Sequence, residues 1–385
     1  MGGNDCVGGS HFNLPEVRLC VGSRPSSSEV VNRAIAGALK GTGKLLETPR
    51  GPLVPPDACF PAKPDHSATT LIHVRDPSMP GEEVELLAAT GLVKTLGGKR
   101  VVDGIDLTCR AGEVLGLLGP NGAGKTTALR MCYGFLRPDA GRVRIAGHDL
   151  AEDGDRARRA LGVCTQDDTF DSEFTVRGNL LQTGRYYRPR QADIIPRIEA
   201  LIERFGLGPY ANQKPDTLSG GFKRRLMIAR AVVHQPRVVF LDEPTTGLDP
   251  QARVAVWALI SGLRAEGLAV VLTTHYMDEA QRLSDRLQVL QSGRVRAAGS
   301  PRAVLGDVVG EHVVLVPAHT PQAAHVIQWF RDQSAKPAQV LTHWHIALDA
   351  PGLAMFVAAF PDLEYEVRPP TLDDLFLALA QESSP

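Results

Sequence analysis

At 385 residues, with 42 basic and 43 acidic side chains for a net charge of −1, the chain has neither the field of a nucleic-acid binder nor that of a protein drawn to an anionic membrane surface. Its 43% hydrophobic fraction is enough for two domains with full cores, yet no run reaches the roughly 18 apolar residues of a bilayer-crossing helix. Six scattered cysteines (Cys6, Cys20, Cys59, Cys109, Cys132, Cys164) show neither zinc-ligand spacing nor the density of a disulfide scaffold, which points to a reducing cytoplasm.

Residues 1–84 read as a disordered extension. Their first 80 residues hold ten of the 28 prolines and several Gly and Ser clusters, with one short helical pattern, "EVVNRAIAGALKG". From about residue 85 the pattern becomes regular. Three apolar runs, "EVLGLLG" (113–119), "RVVFLDE" (237–243) and "AVVLTTH" (269–275), each read as a buried strand that stops at a chemically capable residue. In an open α/β sheet such strand ends gather at one edge, where ligands bind. "PDAGRVRIAGHDL" (138–150) adds an antiparallel edge. "RPRQADIIPRIEALIERFG" (188–206), with Ile198, Leu201, Ile202 and Phe205 at helical spacing, marks a helical insert. After residue 310 the expected order is strand (312–316), helix (322–331), strand (337–341), strand (344–348), helix (352–359), strand (364–368) and helix (372–380), a split βαβ, ferredoxin-like unit. The expected division is therefore 1–84, a nucleotide-binding unit at 85–310, and a small C-terminal module at 311–385.

"GPNGAGKT" satisfies the phosphate-loop pattern G-x-x-x-x-G-K-[ST] between a predicted strand and a predicted helix. Gly119, Pro120, Asn121, Gly122, Ala123, Gly124, Lys125, Thr126 and Thr127 are expected to cradle the phosphates of a nucleotide. Lys125 would bridge β and γ oxygens, and the Thr126 hydroxyl would coordinate magnesium. In "VVFLDEPT", strand alternation sends Asp242 toward the magnesium and Glu243 elsewhere, where it can polarise an attacking water. His275, at the end of its own strand, is suited to the γ-phosphate. Gln166 in "VCTQDD" can ligate magnesium and touch the water. A second glycine-rich helix start, "TLSGGFKRRL", has the backbone of another phosphate site.

"GPNGAGKTT", Gln166, "LSGGFKRR", "LDEPTTGLD" and "TTH", in this order, resemble the nucleotide-binding subunit of ATP-binding-cassette (ABC) transporters over about residues 85–310. The fold class this implies is an α/β phosphate-loop NTPase with a parallel core sheet, an antiparallel edge sheet and a helical subdomain. It further implies a homodimer in which Ser219, Gly220 and Gly221 of one chain cap the ATP held by the other and Asp249 crosses the interface, with Gln166 and His275 as the Q-loop and H-loop residues. Finer features, including "FDSEFTVRGNLLQTGRYYR", "HYMDEAQRLSDRL" and the ending "RPPTLDDLFLALA", are similar to the drug- and polysaccharide-exporter branch, above all nodulation-factor export and daunorubicin-resistance ATPases. That branch implies ATP and Mg2+ as cofactors, an integral-membrane permease as partner, no nucleic acid, and a peripheral place on the cytoplasmic face of the inner membrane. The different-class alternative is a soluble cassette ATPase acting on ribosomes or nucleic acid.

The sequence departs from the family where an aromatic usually stacks on adenine: Leu96 stands there, with Val102 expected to complete that wall. Phe222 replaces the family's frequent Gln or Met. In the C-terminal module His343 and His345 share a strand face at a spacing that can bind metal, but no third ligand is visible.

Overall fold

The computed structural model describes residues 84–187, 191–333 and 335–382. The expected disordered extension, up to residue 83, lies outside the described residues, as does its helical pattern.

Strands β1 (Glu85–Leu96) and β2 (Lys99–Arg110) form a hairpin whose two-residue turn, Gly97–Gly98, has φ values of 55° and 78°. Positive φ at both central positions matches the twist of the flanking strands, and glycine adopts it without a Cβ penalty. β3 (Val114–Leu118) follows, buried along its whole length, and runs through the glycine-rich loop into α1 (Lys125–Cys132). β4 (Ala140–Ile145) and β5 (His148–Asp149) complete an antiparallel sheet of order β2-β1-β4-β5. This is the expected edge sheet.

α2 (Gly154–Arg159) and β6 (Leu161–Cys164) lead to the helical insert, α3 (Val176–Tyr186), α4 (Gln191–Arg204) and α5 (Gly220–Val232). Ile198, Leu201, Ile202 and Phe205 are all buried, as their spacing predicts. The chain then alternates through β7 (Val238–Asp242), α6 (Pro250–Ala265), β8 (Ala269–Thr274), α7 (Met277–Leu283), the hairpin β9 (Arg286–Gln291) and β10 (Arg294–Gly299), and α8 (Pro301–Val308). The central sheet has the order β10-β9-β3-β8-β7-β6, parallel except for β10. β3, β8 and β7, the three predicted apolar runs, are immediate neighbours. Their carboxyl ends meet in register, Leu118 beside Thr274 and Asp242 beside Thr273. β1, β2, β6, β9 and β10 have no counterpart among the strands read from the sequence.

The remaining elements are β11 (His312–Pro317), α9 (Ala323–Asp332), β12 (Ala338–Val340), β13 (His343–Leu348), α10 (Ala350–Ala359), β14 (Glu366–Arg368) and α11 (Leu372–Glu382). Their sheet order, β14-β11-β13-β12 with every pairing antiparallel, is that of a ferredoxin-like unit. A core cluster crosses the expected boundary at 310/311: Leu372, Leu375 and Leu379 of α11 and Val313 of β11 pack with Leu118, Ala280, Leu287, Val289, Val304 and Leu305. No helix of the described residues is long and apolar enough to cross a membrane.

An ionic clasp fixes the start of α11. Asp374, 5% exposed, accepts two bonds from the Arg368 guanidinium at 2.7 and 2.8 Å and two from the backbone N–H and hydroxyl of Thr371 at 2.8 Å. Burial raises its pKa, but these donors outweigh it and bring the carboxyl down to about 2 from the ordinary 3.8. Because the folded value lies below the unfolded one, the clasp stabilises the fold fully above pH ~4 and loses that contribution as pH falls toward 2. Asp374→Asn is expected to cost on the order of 2 kcal/mol at neutral pH. Urea unfolding of both proteins from pH 7 to pH 2 checks this: the gap should close at the acid end.

Candidate functional site

The loop from Gly119 to Gly124 leaves the end of β3 and turns into α1 with its tip, Pro120 to Gly122, exposed. Gly124 has φ 103°, and a Cβ there would lie 2.5 Å from the Val101 carbonyl oxygen, so only glycine lets the loop lie against β2. The first N–H groups of α1 have no carbonyl four residues back within the helix, and they carry its positive dipole end. Such a nest suits a phosphate. The Lys125 ammonium donates to the carbonyls of Gly119 at 2.6 Å and Pro120 at 3.1 Å. Burial lowers its pKa, and the nearby Glu243 and Asp242 oppose that shift.

Asp242 and Glu243 have different partners at the end of β7, but Glu243 lies past the strand, so its turn and not strand alternation sets its direction. Asp242, 2% exposed, accepts from the Thr126 hydroxyl at 3.2 Å and from the Thr273 hydroxyl at 2.6 Å. Glu243 leaves the strand with φ 48°, a left-handed backbone that few non-glycine residues adopt. Its N–H donates to the Thr273 hydroxyl at 3.0 Å. One carboxylate oxygen accepts from Thr246 at 3.0 Å and from the Gln166 amide at 3.4 Å. The other lies 3.3 Å from Nδ1 of His275, whose buried nitrogen forms no hydrogen bond. Gln166 and His275, drawn from two other segments, thus converge with Thr246 on the Glu243 carboxylate. Sequence reasoning left Thr246 and Thr273 out of the site although both lie inside quoted motifs; a hydroxyl beside a strand-end carboxylate was the available signal.

Ser219, Gly220 and Gly221 begin α5, with Ser219 in the N-cap backbone conformation but without a capping bond from its hydroxyl. The Ser219 side chain does not cap its own helix, and the helix start is left open. Gly220 is exposed, and a Cβ there would meet only Leu248 at 3.6 Å. Gly221 answers to packing, because its Cβ would lie 2.8 Å from Ala252 on α6. Asp249 caps α6 through the Ala252 N–H at 2.8 Å and remains exposed, beside the signature.

Leu96 ends β1 at 44% exposure, where a larger ring has room. Val102 has no exposed surface and packs near Gly124 from behind, so it shapes the loop and offers no wall to a base. Leu96→Tyr is expected to tighten ATP binding several-fold, about 1 kcal/mol of stacking, measured by nucleotide titration. The histidine pair is committed elsewhere: His345 Nδ1 lies 3.4 Å from Asp374, and His343 Nδ1 is 3.0 Å from the Thr342 hydroxyl.

The ABC transporter family model matches residues 102–246. Nod factor export ATP-binding protein I of Rhizobium meliloti is 40% identical over 308 residues, which span 80% of this chain and 90% of that protein. Its counterpart in Paraburkholderia xenovorans (strain LB400) is 42% identical over 291 residues, 74% of this chain and 94% of that one. A solved ATP-binding subunit of an ABC transporter superimposes with a TM-score of 0.54 at 28% identity, covering 58% of this chain and 92% of its own. The cbiO1 subunit of Clostridium perfringens, part of the cbiONQ transporter complex, gives 0.54 at 27% identity, with 58% and 91% covered. A phosphate-type loop, a paired carboxylate ringed by Gln166 and His275, and relatives matched over nearly their whole length agree: the chain belongs to the ATP-binding-cassette transporter family, as one of its ATP-binding ATPase subunits.

Proposed function

We propose that this chain is the ATP-hydrolysing subunit of an exporter for a lipo-oligosaccharide or similar amphiphile. It works as a homodimer around two ATP molecules and drives a separate permease from the cytoplasmic face of the inner membrane. The observation that carries this reading is the open helix start at Ser219–Gly220 in a chain that already has a complete phosphate loop. A second anion-binding helix end with no use for its own nucleotide suits a twin's. The cargo class comes from the Nod factor exporters among its relatives.

ATP is held through its phosphates by Gly119 to Thr127. The hydroxyl of Thr126, the carboxylate of Asp242 and the amide of Gln166 are an oxygen donor set suited to a hard divalent cation, and Thr126 Oγ1 and Asp242 Oδ1 are close, 3.2 Å apart. Magnesium held there by these residues would supply positive charge to the phosphates. Glu243 orients a water and accepts its proton, with Thr246 and Gln166 fixing the carboxylate. His275 presents a ring nitrogen beside the same carboxylate. Asp249 of one chain meets the other across the dimer.

The permease contact is assigned to residues 174–187, where Phe174 and Tyr186 are 38% and 89% exposed. Affinity purification of the full chain from membranes should yield a polytopic partner in stoichiometric amount. Recovery with ribosomes and no membrane protein would favour the nucleic-acid alternative instead.

A further inference from the structure

Arg224 lies five residues beyond Ser219 on α5, and its side chain is 7% exposed. A buried guanidinium is tolerated only where its N–H groups find acceptors. Nη1 donates to the Thr165 carbonyl at 2.8 Å and lies 3.7 Å from Cys164 Sγ, and Nη2 donates to the Gln166 carbonyl at 3.1 Å. Both carbonyls belong to the segment just past β6, where pairing with β7 has stopped at Cys164 opposite Leu241. The signature helix thus supplies the hydrogen bonds that the end of the sheet does not. From the same residue, the Gln166 amide reaches Glu243 at 3.4 Å. An unbroken series of contacts therefore runs from the start of α5, through the Arg224 guanidinium and the Gln166 main chain, to the Glu243 carboxylate.

We infer that Arg224 is a positioning residue that couples the two half-sites of one chain. The coupling rests on the function proposed above: the start of α5 faces the ATP of the twin, while Glu243 acts on the chain's own. When α5 is seated on the partner's phosphates, Arg224 holds the backbone of Gln166 so that its amide meets Glu243. When α5 is displaced, the amide is carried away from the carboxylate. A rigid two-pronged guanidinium suits this task, because it fixes two successive carbonyls at once, which a lysine ammonium on a flexible stem does less well.

The test is a double-mutant cycle on steady-state ATP hydrolysis by the full chain, with ATP affinity titrated separately. Arg224→Met is expected to lower kcat about tenfold with the ATP Kd within about twofold of the parent, a split that general loosening of the nucleotide site would not give. Gln166→Ala should lower kcat to a similar degree, and the double variant should be no slower than the slower single. Arg224→Lys should recover part of the loss, and it carries the same cycle if Arg224→Met fails to fold. Losses that multiply in the double variant, or native turnover in a folded Arg224→Met protein, overturn the coupling. Glu243→Gln separates the two readings: native turnover there defeats the site assignment, whereas multiplying losses defeat only the role of Arg224.

Discussion

Replacing Glu243 with Gln should stop ATP turnover, by about 10³-fold, while leaving ATP bound and two chains held together by it. The amide keeps the size of the carboxylate and can still accept from Thr246, which donates to Glu243 at 3.0 Å, so the left-handed turn at φ 48° has no new reason to relax. What is lost is the ability to take a proton from the attacking water. Asp242, with its bonds to Thr126 and Thr273, is untouched. Phosphate release checks the rate, and size-exclusion chromatography in the presence and absence of ATP checks the dimer. Native turnover would remove Glu243 from its assigned role.

The second large effect is expected from Ser219→Arg, which should abolish hydrolysis and ATP-driven dimerisation while leaving ATP affinity of the single chain within about twofold. Ser219 is exposed and makes no capping bond, so the substitution removes no internal contact of its hydroxyl. It does place a long cationic side chain at the positive end of α5, where it blocks close approach of phosphate oxygens and is itself unfavourable. Titration with a fluorescent ATP analogue at low protein concentration isolates the single-chain site. Loss of affinity there would mean that the signature serves its own chain's nucleotide.

The site was legible in the sequence because its parts are contiguous strings at the ends of apolar runs. "GPNGAGKTT", "LDEPTT" and "TTH" each carry their own strand, and parallel neighbours then bring the ends together without further instruction. What escaped depends on pairing between distant segments. β6 is a four-residue run broken by Gly162, which reads as a turn; its glycine is there because a Cβ would lie 2.0 Å from the Ala231 carbonyl oxygen of α5. Likewise the glycines of "LSGG" look alike as letters, yet a Cβ on Gly220 would make only an ordinary contact with Leu248, whereas one on Gly221 would collide with Ala252. Arg224 resembles any surface cation of a basic helix stretch until its two carbonyl partners, 58 and 59 residues away, are seen. Val102 shows the same limit, since strand alternation alone does not say which side of β2 meets the loop.

The apolar seam beneath α11 gives the C-terminal module a mechanical meaning. Ala280 of α7, the helix that follows His275, and Leu118, the last residue of β3 before the phosphate loop, share one packed cluster with Leu372, Leu375 and Leu379. Close-packed cores transmit displacement and do not absorb it. The ferredoxin-like unit is therefore packed directly on the elements that carry the candidate site and is not tethered beside them. Exchange of modules between related exporters should accordingly succeed only when α11 and the residues lining its seat travel together.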